Sequence, residues 1–145
     1  MGKNLLTDCK IQKCFGYQAA STTNIDGADT VDMAGYDTVL FMVILGTMVN
    51  LSVLNLTIYE GATDGTEAAS VATSGNVTSD ATDETIMLLE VTKPSYRYLE
   101  PVLTITTQNA EVECILAILG NARDRAVSQG DLVISDEIFQ SPALA

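Results

Sequence analysis

The sequence predicts an all-β fold, an antiparallel sandwich or jelly roll with extended N- and C-terminal arms. Three observations carry that expectation. Residues 38–58 hold no charged side chain. From Val53 onward they alternate, with Leu54, Leu56 and Ile58 on one face and Asn55, Thr57 and Tyr59 on the other, the period of a strand. Short apolar runs recur about every 8–12 residues between turn residues, a spacing typical of sandwiches and barrels. Nowhere is there a convincing amphipathic helix.

The uncharged run poses a choice between a membrane span and buried strands, and its composition favours strands. β-Branched residues are frequent in it, and they suit a pleated surface better than a helix. Asn50 and Asn55 would need partners in lipid, and the flanks are Asp37 and Glu60, not the Lys or Arg of a cytoplasmic flank.

The elements follow in order. Residues 1–14 read as an N-terminal arm bearing Lys3, Lys10 and Lys13, and residues 15–125 as the body. A strand over 15–23 ends in the turn containing Asp26-Gly27. Residues 30–33 form a short strand, and 37–45 a long apolar one. Gly46 after it marks a bulge or a close backbone approach. The alternating strand 53–60 completes a central apolar hairpin. Residues 61–83, rich in Gly, Ala, Ser, Thr and Asp, read as an excursion with strand fragments near 68–72 and Val77. A strand over 84–92 stops at Lys93-Pro94. In the strand over 96–107, Leu99, Leu103 and Ile105 oppose Tyr98, Val102, Thr104 and Thr106, and Pro101 suggests an edge or a bulge. The last strand, 110–119, sets Val112, Cys114, Leu116 and Ile118 on one face and ends at Gly120-Asn121.

The hairpin is apolar on both faces, so one face must be covered from outside the domain, most simply by a sister copy. Val39, Phe41, Val43, Val53 and Tyr59 are the expected oligomer-interface residues. Residues 126–145 carry isolated apolar clusters, Leu132-Val133-Ile134 and Ile138-Phe139. Ordering them costs about 1–2 kcal/mol per residue, so they are either a frayed tail or an arm that orders on a partner. The clusters favour the arm, with Leu132, Ile134, Ile138 and Phe139 as its anchors and Lys3, Lys10 and Lys13 as the basic counterpart.

Composition excludes several functions. A chain of 145 residues fits one domain. Its net charge of −12 argues against binding nucleic acid. Residues 1–13 contain no apolar core of a secretory signal, and Leu6 stands where myristoylation would need Ser or Thr after Gly2. Three cysteines, Cys9, Cys14 and Cys114, do not make a disulfide framework. Synthesis in a reducing cytoplasm is expected.

Histidine is absent, which removes Ser-His and Cys-His pairs and imidazole metal sites. Asn24, Asp26, Asp29 and Asp32 do not match the spacing of a calcium loop. Residues 61–65 lack the Lys of a phosphate loop. The chain therefore reads as a non-enzyme with no cofactor and no metal.

The block Gly35-Tyr36-Asp37-Thr38-Val39-Leu40-Phe41, the later Leu56-Thr57-Ile58-Tyr59-Glu60-Gly61, Lys93-Pro94 and Tyr96-Arg97-Tyr98 carry a resemblance. They resemble the capsid decoration (cement) proteins of tailed bacteriophages, over residues 32–125. The resemblance implies a jelly-roll-like body, a homotrimer, the major capsid protein as partner, and a place on the outer capsid surface. It implies no catalytic residues. Two alternatives remain: a head–tail or tail structural component, and a ligand- or glycan-binding sandwich using the 61–83 loop and the acidic turn.

Overall fold

The computed structural model describes residues 5–79, 84–123, 129, 132 and 133. These contain one short helix, α1 (Leu5–Asp8), and ten strands. In chain order they are β1 (Lys10–Phe15), β2 (Gln18–Ser21), β3 (Val31–Asp32), β4 (Thr38–Met48), β5 (Val53–Gly61), β6 (Ala69–Thr73), β7 (Val77–Thr78), β8 (Ile86–Thr92), β9 (Tyr98–Thr106) and β10 (Ala110–Gly120).

The strands form two sheets. Sheet I runs β1-β10-β4-β8, with β2 also on β10; sheet II runs β3-β9-β5-β6, with β7 also on β5. All pairings are antiparallel. With the short β2 and β7 set aside, the first strand pairs with the last, β3 with β9, β4 with β8 and β5 with β6. That nesting is one long antiparallel ribbon rolled into two layers, a jelly roll. The predicted all-β sandwich is therefore what the chain forms.

Alternation builds the core. Val39, Phe41 and Val43 from β4 and Ile115, Ala117 and Leu119 from β10 face inward from sheet I. Leu54, Leu56 and Ile58 from β5 and Leu99, Leu103 and Ile105 from β9 meet them from sheet II. Burying each large side chain contributes about 1.5–3 kcal/mol, and this layer is what holds the two sheets together.

Several expectations are corrected. β4 and β5 are not a hairpin, because they lie in different sheets. The link between them turns through buried Ser52, whose hydroxyl donates to the Gln108 carbonyl at 2.9 Å. Val39, Phe41 and Val43 have no exposed surface and cannot face a sister copy. Val53 and Tyr59 are half-buried on the outer face of sheet II, a different side of the molecule from sheet I.

Lys10 and Lys13 do not lie on a free arm. Both belong to β1, paired with Leu119 and Leu116 of β10. On β10, Val112 faces inward while Cys114, Leu116 and Ile118 face outward, because register shifts between Ala110 and Cys114 reverse the alternation. Pro101 lies in a central strand, not at an edge. It falls between the Val31–Leu99 pair and the Ile25–Leu103 bridge, a gap where no ladder needs its missing N–H.

Candidate interaction surfaces

The segments that carry the resemblance converge at one end of the sandwich. Residues 33–37 lead from β3 into β4, residues 93–97 lead from β8 into β9, and Arg123 follows β10; together they line one cleft. Asp37 binds them to one another. Its backbone carbonyl accepts from the Lys93 N–H at 2.7 Å. Its carboxylate accepts from Asn121 Nδ2 at 3.1 Å and from Arg123 Nη2 at 3.3 Å. Arg97 donates through Nε and Nη2 to the two Asp32 oxygens, at 2.7 and 2.9 Å. Those bonds hold the Asp32 carboxyl below its ordinary range, and the same guanidinium lies 5.1 Å from the Tyr98 ring centre.

Glu60 is buried beneath this end, and its Oε2 accepts from the Ser95 and Tyr96 N–H groups at 3.0 and 3.3 Å. The Tyr59-Glu60-Gly61 segment is thereby tied to the turn after Lys93-Pro94. Gly61, next to Glu60, is needed for a different approach, because a Cβ there would lie 2.8 Å from the Thr66 carbonyl oxygen and 2.9 Å from the Glu67 nitrogen. These contacts position backbone, holding the turns at this end of the sandwich against one another.

The second surface is the outer face of sheet I, and the pairing register defines it. Cys114, Ile44 and Ile86 lie in one cross-strand row. Leu116, Met42 and Leu88 form the next row, with Lys13 at the β1 edge. Ile11, Ile118 and Leu40 form the third, with Glu90 at the β8 edge. Ile86 is 54% exposed and Leu88 58% exposed. These nine apolar positions cover roughly 300 Å², within the size range of the largest patch on an ordinary monomer. The outer face of sheet II is different: Asn55, Thr57, Glu100, Thr104 and Thr106 all lie on it.

The face had a partial signal in the sequence, since β4 is apolar at every position from Val39 to Leu45. Which of its two sets faces outward is decided by the partner strands, and this set is Leu40, Met42 and Ile44.

A third contact ties the C-terminal segment to the free edge of β1. The Ile11 N–H donates to Gln129 Oε1 at 2.8 Å, and Gln129 Nε2 donates to the Leu6 and Cys9 carbonyls at 3.0 and 2.8 Å. One side-chain amide thus takes the place of a neighbouring strand. Leu132, beyond it, is 65% exposed. The other proposed arm anchors, Lys3, Ile134, Ile138 and Phe139, lie outside the described residues.

The acidic turn serves the fold, since Asn24 Oδ1 accepts the Ile105 N–H at 3.0 Å. Among the described residues no three His, Cys, Asp or Glu side chains are placed to hold a metal ion, and no helix is long and apolar enough to cross a membrane. Cys14 is buried, and its thiol is pushed up to about 12, first by burial and then by the charge of Asp29. A scan against protein-family models found no match, and a search of curated proteins also found none.

Proposed function

We propose that this chain is a virion structural protein that decorates and stabilises a phage capsid from its outer surface. In this reading it binds the major capsid protein, self-associates as a homotrimer, and contacts neither nucleic acid nor membrane. The apolar outer face of sheet I is the observation that carries the proposal. A contiguous apolar patch on one sheet face, bordered by charge, is suited to assembly, and the end cleft is built from backbone ties and ion pairs. The resemblance of residues 32–125 to decoration proteins supports the same reading, because its segments meet in one place.

Many copies on a shell would gain avidity from modest individual contacts. The test is to mix the purified chain with undecorated shells, pellet them, and heat them. Co-sedimentation and a raised shell-rupture temperature are expected. A chain that stays in the supernatant at every concentration ends the proposal. Tails assayed beside the shells separate a tail component from a shell protein. The ligand-binding alternative has less support, because Asn24 of its acidic turn is committed to the Ile105 backbone.

A further inference from the structure

We infer that the outer face of sheet I is the surface on which copies of this chain meet, with the β1 edge of one copy beside the β8 edge of the next. The inference rests on the self-association in the proposed function and names its surface and orientation.

The outward rows Cys114-Ile44-Ile86, Leu116-Met42-Leu88 and Ile11-Ile118-Leu40 are apolar across their width. Charge sits only at their borders. Lys13 is at the β1 edge, Glu90 at the β8 edge, and Glu84 and Glu113 lie at the end beside Ile44 and Cys114. A foreign partner would have to supply its own matching pattern, whereas a second copy already has it. A rotation axis running along the strands in front of the face carries β1 of one copy to β8 of the next without changing height. Lys13 shares a row with Leu88, one outward row from Glu90. Lys13 lines a cleft with Glu113 and Cys114 of its own chain, and with a row spacing of about 7 Å its long side chain can turn to the neighbour's Glu90 at such a junction. An axis across the strands would instead set Lys13 against Lys13.

A stable interface buries roughly 800 Å² per partner, so the apolar centre of roughly 300 Å² needs its side-chain relief and polar rim to supply the rest.

Light scattering on the 145-residue chain alone tests the inference. The wild type should give a multiple of 15.4 kDa, and Leu88→Lys, at an exposed position that leaves the core intact, should fall to the single-chain mass with an unchanged β-sheet circular dichroism spectrum. Lys13→Glu should shift the mass the same way, and Lys13→Glu combined with Glu90→Lys should restore it. Cys114, in the end row of the face, should react with a thiol reagent faster in Leu88→Lys than in the wild type. A wild-type mass of 15.4 kDa at the highest soluble concentration overturns the inference, as does a Leu88→Lys variant that keeps the wild-type mass. Failure of the charge exchange to restore assembly overturns the orientation. A wild-type monomer whose Cys114 becomes reactive only after removal of residues 124–145 assigns the face to the chain's own tail, and also overturns it. Shell binding is measured separately. A self-associating chain that ignores shells would end the functional proposal alone, and a shell-binding monomer would end this inference alone.

Discussion

Leu56 has no exposed surface, so Leu56→Asp would put an unpaired charge between the sheets and should abolish soluble folding. Leu56→Ala should instead yield folded protein about 2–5 kcal/mol less stable, by urea denaturation. Two glycines make a graded pair. At Gly46 a Cβ would press on the Glu111 and Glu113 carboxylates, the ends of flexible side chains. At Gly61 it would press on the Thr66 and Glu67 backbone, which cannot swing away. Gly61→Ala should therefore cost about 1–3 kcal/mol, and Gly46→Ala clearly less; the two denaturation midpoints compare them directly. Among the thiols, Cys14 should stay unlabelled in the native state and react only on unfolding, since burial keeps it protonated at neutral pH.

At the scale of elements, β9 carries a titration with a definite sign. Burial raises the Glu100 carboxyl, and the charges of Glu67, Asp26 and Asp64 add to the effect. Its folded pKa therefore lies above the unfolded value. The stability linked to the protonated group is fully present below the unfolded value and is lost as pH rises through the folded one. Glu100→Gln should melt higher than wild type at neutral pH, and the difference should vanish below the carboxylate range. A thermal melt series across pH measures it.

β1 illustrates how element and arm differ. Its pairing with β10 and the Gln129 bridge make residues 10–15 part of the body, so deleting residues 1–15 should unfold the protein. Deleting residues 132–145 leaves Gln129 in place and should preserve the thermal melt while weakening shell attachment in the pelleting assay.

Considered whole, the molecule closes by pairing its first strand with its last, and most of its contacts span long stretches of chain. Loop-closure entropy is paid before those contacts form, so refolding should take milliseconds to seconds or longer, as stopped-flow fluorescence would show. The strand content, the turns and the sandwich were legible in the sequence because alternation and turn chemistry are local. The strands from Val53 and from Tyr98 show their inward sets directly, since polar residues mark the other face. β1 was not legible, because Lys10-Ile11-Gln12-Lys13 is too polar to announce a strand that only β10 stabilises. β4 is apolar on both faces, so its own residues do not say that Val39, Phe41 and Val43 go inside. The β10 alternation was misread because a bulge shows only against a partner strand. The sequence by itself determined that this chain makes β-strands with more apolar surface than polar turns can hide. Only the tertiary structure decided which strands share a sheet and which greasy face is left outside, because register and layer are properties of paired segments and no single segment contains them.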